Sequence, residues 1–205
     1  MEPYILPLES VGDEDGWLVG EKALHLSQLR RAGMRVPEGF CITTAAYRLF
    51  LEELEPRLKR LSAQSELDWE EVARLQKEMR GLPLPEPLRA AVEEGYREMG
   101  QEQSVAIRSS ATNEDLPEAS FAGQYDTYLN VIGVEEVMEN VKACWASLLN
   151  QRLLSYLHRH HLSPLEVGLG VVVQRQVPAE VSGVLFTLNP FTGLEEEMLI
   201  EANWG

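Results

Sequence analysis

The period of the hydrophobic positions changes repeatedly along the chain. Tyr4 to Leu8 has the pattern of a short strand. After Gly20, residues Ala23, Leu26, Leu29 and Ala32 recur at near-helical spacing, so Lys22 to Ala32 is predicted as a helix with Gly33 as its C′ residue. Val36-Pro37-Glu38-Gly39 is a turn, and Phe40-Cys41-Ile42 a strand. Thr43 or Thr44 then caps a helix running to about Leu54. From Glu55 to Gly100 the pattern is charged and helical. Asp68 is placed to N-cap Trp69 to Arg80. Pro83, Pro85 and Pro87 then break the pattern, and Arg89 to Met99 is amphipathic up to Gly100. The character changes at Ser104. Val105 to Arg108 is a predicted strand, Ser109 to Gln124 a polar loop, and Tyr125 to Val131 alternates as a strand. Val134 to His160 is helical in two pieces. Val167 to Gln174 and Val181 to Leu188 are β-rich around Pro178, and Met198 to Glu201 starts another strand.

Strands and helices succeed one another without a regular βαβ alternation, which favours an α+β fold. Val105, Ile107, Leu129, Val131, Val171, Val173 and Leu185 are the expected sheet core. The helical stretch at about 55-100 is an insert with little visible chemistry. The chain stops at Asn203-Trp204-Gly205, directly after an apparent strand, so a truncated product is expected.

Charge narrows the functional classes. Eighteen Lys and Arg against 33 Asp and Glu give a formal net charge of −15. Nucleic-acid binding by counterion release is therefore not expected. A nucleotide is a different matter, because a few cations and backbone N–H groups suffice for a triphosphate. Cys41 and Cys144 lie in no ligand spacing, so neither a disulfide framework nor a zinc site is suggested. The N-terminus lacks a basic start and a long apolar core, and no apolar run is long enough to span a bilayer. A cytoplasmic protein is the expectation.

Four segments carry candidate chemistry. In Gly20-Glu21-Lys22 a glycine precedes a helix whose free N–H groups, with a lysine, suit a phosphate; a solvent-exposed lysine is the plain alternative. In Arg108-Ser109-Ser110-Ala111-Thr112 an arginine ends an apolar strand and is followed by hydroxyls, an arrangement suited to oxyanions. The same arginine in a structural loop pairs with Glu114 or Asp115, and the segment alone does not choose. Small residues around Gly123 permit a loop that folds over a ligand, or an ordinary hairpin turn. Val171 to Pro178 has the form of a hinge against which an adenine lies, or of a core strand with a turn after it. His158 and His161 share a helix face, where a solvated helix end and a metal site are both readings.

Taken together, Gly20-Glu21-Lys22-Ala23, Val36-Pro37-Glu38-Gly39-Phe40, the run from Arg108 to Pro117, Ala119 to Gln124, and Val181 to Thr187 with Asn189-Pro190 resemble a known family, in order and over nearly the whole chain. It is the nucleotide-binding domain of the pyruvate phosphate dikinase, phosphoenolpyruvate synthase and rifamycin phosphotransferase group. The ending Glu201 to Gly205 leans towards the rifamycin phosphotransferases. The resemblance implies an ATP-grasp-like fold, with residues 1-178 as the N-terminal lobe and 179-205 as the start of an incomplete second lobe. It implies that Lys22 and Arg108 bind phosphates and stabilise charge during transfer. Gly123 then belongs to the loop over the phosphates, Thr127 lies near the nucleotide, and Gln174 and Val177 line the adenine pocket. It further implies ATP with Mg²⁺, whose ligands are expected beyond residue 205 and match none of Glu195, Glu196, Glu197 or Glu201. In the family a histidine on a separate mobile domain carries the phosphoryl group to an acceptor such as pyruvate or a rifamycin. Glu21 departs from the pattern, which has a second glycine there. The competing expectation is a non-catalytic nucleotide-binding or interaction fragment, and the isolated chain is expected to be inactive.

Overall fold

The computed structural model describes residues 2–64, 66–100, 102–112, 115–116, 119–120, 126–160 and 162–204. Strand β1 (Ile5–Pro7) leads through a short helix α1 (Gly16–Val19) into α2 (Glu21–Arg31). Then come β2 (Gly39–Ile42), α3 (Thr44–Leu51), α4 (Glu55–Ser62), α5 (Trp69–Gly81), α6 (Glu86–Glu98) and β3 (Val105–Ala111). Two two-residue strands are next, β4 (Asp115–Leu116) and β5 (Ala119–Ser120), and then β6 (Thr127–Val131). The chain continues through α7 (Val134–Ala146), α8 (Gln151–Arg159), β7 (Leu169–Arg175), β8 (Val181–Phe186) and β9 (Leu199–Trp204).

Five strands form one antiparallel sheet in the order β1-β2-β7-β3-β6. Side-chain alternation sorts the sheet into two faces. On β7, Leu169, Val171 and Val173 join the main core with Phe40, Ile42, Val105, Ile107 and the buried stripes of α3 to α8. Trp145 sits at its centre, fully buried, with its indole N–H donating to the Leu169 carbonyl at 3.1 Å and its ring against Phe50. On the opposite face Val172 and Cys41 pack under α1 and α2, against Leu18, Val19 and Ala23. The fold is α+β, as expected.

Several local signals act as the sequence suggests. The Thr43 hydroxyl accepts from Ala46 N–H, the Asp68 carboxylate accepts from Glu70 and Glu71 N–H, and Gly33 takes φ +83° after α2. Other expectations need correction. Strand β3 continues through Ser109 and Ser110 to Ala111, because these small residues pair with Val171, Gly170 and Leu169 of β7 and are buried. Helix α6 starts at Glu86 rather than Arg89, since Pro87 lies in its first turn, where a proline costs no hydrogen bond. Leu129 is 57% exposed rather than in the core. The register between β3 and β6 shifts, with four residues from Tyr128 to Val131 set against three from Val105 to Ile107. Asn130 sits there at φ 57°, as in a β-bulge. The extra residue lets Tyr128 and Val131 both face the main core and leaves Leu129 outside. Leu185 is 53% exposed, because among the described residues β8 pairs only with β9 and every residue of β8 is exposed.

Candidate functional site

The face of the sheet under α2 gathers most of the predicted site. Gly20 has φ +79° and ψ 166°, and lies so close to β3 that an added Cβ would meet the Ser110 carbonyl oxygen at 2.2 Å. Only a residue without a side chain lets the start of α2 press onto the strand at that point. Two residues of the first turn of α2 lock the contact. Lys22 Nζ donates to the Ser109 carbonyl at 2.6 Å, and the Ala23 N–H donates to the Ser110 hydroxyl at 3.1 Å. No side chain of α2's own N-cap residue closes the helix, so Ser110 supplies the cap from 87 positions away.

Residues opposite one another in an antiparallel ladder point to the same face. Arg108 is opposite Val172 on β7 and opposite Thr127 on β6. Val172 packs under α1 and α2, so Arg108 and Thr127 belong to the α2 side. Arg108 is half-buried, and among the described residues its guanidinium has neither an ion pair nor a hydrogen bond. Lys22, Arg108 and Thr127 are thus brought to one patch. Gln174 lies on the same face opposite Ala106, two residues along the ladder, roughly 7 Å from Arg108 at strand spacing. Its side chain is buried and its Nε2 donates to the Pro37 carbonyl at 3.1 Å, so it also fastens the turn before β2. Val177 comes after the end of β7 and is 54% exposed. Gly123 and the residues on either side of it, 121–125, lie outside the described residues, as do Asn113, Glu114, Pro117 and His161.

Two features of the patch were not legible in the sequence. The Ser109 and Ser110 hydroxyls, whose pattern suggests oxyanion ligands, have internal partners: Ser109 Oγ donates to the Asp126 carbonyl at 3.4 Å, and Ser110 Oγ caps α2. Asp126, which no sequence pattern singles out, anchors the start of β6. Its carbonyl takes the Ser109 N–H and hydroxyl, and its carboxylate accepts from the Tyr128 hydroxyl at 2.9 Å. Burial and Asp126 together raise the Tyr128 pKa. Behind the patch, burial pushes the Cys144 thiol up to about 12; the Ser109 hydroxyl and Lys22 act against that rise, and Asp126 adds to it. Both charges are therefore felt at one point beneath the strand.

Other clefts hold less chemistry. A depression of about 340 Å³ is lined by Glu93, Tyr96, Arg97, Glu102, Gly133 and Val134, and neither Lys22 nor Arg108 is among them. His158 Nε2 is 2.8 Å from the Gln64 carbonyl, an ordinary tie between helix and loop. Among the described residues no three His, Cys, Asp or Glu side chains gather where they could hold a metal ion. Nor, among the described residues, is any helix long and apolar enough to cross a membrane.

Comparison with known proteins places the chain in a family. Residues 17–205 match the family described as Pyruvate phosphate dikinase, AMP/ATP-binding domain. The chain is 46% identical over 195 residues to a rifampicin phosphotransferase of Streptomyces sp, covering 91% of this chain and 22% of that protein. It is 39% identical over 217 residues to a probable phosphoenolpyruvate synthase of Methanothermobacter thermautotrophicus, covering 100% and 32%. The rifampicin phosphotransferase of Bacillus subtilis is 37% identical over 213 residues, covering 100% and 25%. The chain thus spans between about a fifth and a third of the length of these relatives. With 189 of its residues inside the match and the phosphate-suited patch of Lys22 and Arg108 within them, the chain belongs to the pyruvate phosphate dikinase AMP/ATP-binding domain family.

Proposed function

We propose that this chain forms the ATP-binding wall of a dikinase-type phosphotransferase. The observation that carries the proposal is the seating of the Gly20-Glu21-Lys22 helix start on β3 beside Arg108, with Thr127 opposite. Two cations on rigid elements, half-shielded from water, suit a polyphosphate better than surface lysines do. Lys22 and Arg108 take the phosphates, the Gly123 loop covers them, and Thr127 lies beside them. Gln174 and Val177 border the adenine, with the Gln174 side chain acting chiefly through the Pro37 turn it holds. Residues 1-178 act as the first ATP-grasp lobe, and the exposed β8–β9 hairpin is the beginning of a second lobe within 179-205. A two-stranded hairpin is marginal by itself and gains stability when more strands cover its apolar residues.

Phosphoryl transfer of this kind depends on positioning and charge neutralisation more than on covalent chemistry by the protein. In the proposed reaction a histidine on another domain of a longer polypeptide takes the β,γ-pyrophosphoryl group of ATP as AMP leaves, water removes the terminal phosphoryl group as inorganic phosphate, and the phosphohistidine delivers the remaining one to an acceptor such as pyruvate or a rifamycin. Mg²⁺ is bound by residues after 205, in a cytoplasmic protein. The test is ATP titration and AMP formation with the longer protein, with and without pyruvate or rifampicin. Lys22→Ala and Arg108→Ala are each expected to weaken ATP binding at least about tenfold, as the loss of a charge-assisted phosphate contact predicts. The 205-residue chain alone is expected to bind ATP weakly and form no AMP, since one wall leaves the triphosphate in water. Unchanged ATP affinity in both variants would sink the proposal.

A further inference from the structure

The end of β7 is held on both flanks. On one side Arg175 N–H donates to the Glu38 carbonyl at 2.9 Å, and the Gln174 amide donates to Pro37. On the other, Gln176 N–H donates to the Ser104 carbonyl at 2.9 Å, one ladder position past the last pair of β3 and β7. One side chain joins the two flanks. The Arg175 guanidinium donates through Nη1 to the Gln103 side chain, and through Nη2 to the Glu38 carboxylate and, at 2.9 Å, to the Met99 carbonyl. Arg175 is opposite Val105, a main-core residue, so it lies on the far face of the sheet from Gln174 and Arg108. It passes beneath the strand and ties the Pro37–Glu38 turn to the loop after α6.

We infer that Arg175 is a positioning residue for the adenine end of the nucleotide site, and that the C-terminal end of the helical insert serves that site through it. The inference rests on the proposed function, in which Gln174 to Val177 borders the adenine. A guanidinium is suited to the task because its planar donors reach three acceptors in different directions, whereas an ammonium on a flexible stem cannot hold all three in one plane. Removing the clamp frees the Glu38 turn and the Gln103 loop to drift independently, so the hinge between them loses its fixed height. The phosphate end is held by different bonds, those of Lys22 and Ser110, and is untouched.

The experiment uses the longer protein that contains this domain and compares binding of ATP with binding of tripolyphosphate, by titration calorimetry. Arg175→Ala is expected to weaken ATP about tenfold while tripolyphosphate changes less than about twofold, since a lost orientation acts only on the ligand that has a base to orient. Arg175→Lys recovers part of the loss. The double variant Glu38→Ala with Gln103→Ala removes both side-chain acceptors without removing the arginine, leaves only the Met99 carbonyl, and behaves as Arg175→Ala does. Equal losses for the two ligands, or an ATP affinity that Arg175→Ala leaves unchanged while Lys22→Ala abolishes binding, overturn the clamp and leave the ATP reading standing. A wild-type protein that binds tripolyphosphate but gains nothing from the adenosine portion overturns both.

Discussion

Replacing Gly20 with alanine isolates the contact on which the phosphate patch depends. The backbone there, φ +79° and ψ 166°, is a conformation open almost only to glycine, and a side chain in it costs on the order of 1–3 kcal/mol. The added Cβ meets the Ser110 carbonyl oxygen at 2.2 Å, where real Cβ atoms essentially never come nearer than 3.0 Å. The helix start must therefore lift by 0.8 Å or more, the difference between those two distances. A lift of that size takes the 3.1 Å bond from Ala23 N–H to Ser110 Oγ out of hydrogen-bond range and removes the helix cap, worth about 1 kcal/mol. The loss is about 3 kcal/mol in total, which at about 2–4 °C per kcal/mol lowers the melting temperature by roughly 6–12 °C. ATP affinity falls as well, because Lys22 moves with the helix. Gly33→Ala is the control: its φ is +83°, but nothing lies within 4 Å of the added Cβ, so it loses only about 1–2 kcal/mol for the left-handed backbone and leaves ATP binding alone. Thermal unfolding and ATP titration of both variants decide the matter. Equal melting losses in the two, or wild-type ATP affinity in Gly20→Ala, would refute the close-approach account.

Ser110→Ala takes away the cap that Ala23 uses and is expected to lower stability by about 1 kcal/mol in urea unfolding, with an unchanged midpoint counting against the long-range cap. Val177→Asp places a carboxylate beside the proposed adenine wall, so adenine nucleotides should lose more affinity than tripolyphosphate; equal losses would move the adenine elsewhere. Burial raises the pKa of both thiols, Cys41 beyond the ordinary range and Cys144 to about 12, so neither should react with a maleimide at pH 8 until urea unfolds the chain. Because the fold favours the neutral thiols, their contribution to stability is complete below the unfolded pKa of about 8.5 and is lost as pH rises from there towards 12. Rapid labelling of both cysteines in the native protein would contradict the packing.

Local signals were legible in the sequence and tertiary ones were not. Thr43 and Asp68 announce helices because a cap is a contact within three residues. Lys22 and Arg108 are named through the family resemblance, because their own segments leave a solvent-exposed lysine and a structural-loop arginine open, and Arg108 stands inside β3 rather than at a strand end. The roles of Ser109 and Ser110 could not be read, since their partners lie on α2 and at Asp126 and no pattern in their own segment points there. Leu129 fails for a related reason. Its alternation with Val131 is correct for a regular strand, and the bulge at Asn130 breaks the parity. Gln174 is placed at the adenine pocket by the resemblance, and nothing in its own segment announces that its amide holds Pro37. The Arg175 clamp was invisible because its three acceptors come from segments up to 137 positions away.

The reach of Ser110 and Ser109 to the start of α2 also sets an order of assembly. Helix α2 has eleven residues and buries only Ala23 and Ser27, and an isolated helix of that length is marginal in water. Its cap and the anchor of its lysine arrive with a strand 87 positions later. On a ribosome adding about 5–20 residues per second, the arm waits roughly 4–17 s for its support to be made, and longer for that support to leave the exit tunnel. Until then Lys22 rides on a fluctuating segment, and contacts of such long sequence separation form only after the loop between them is closed. The arm that carries Lys22 is made before the strand that seats it, so a nascent chain cannot bring Lys22 and Arg108 together before the sheet that joins them exists.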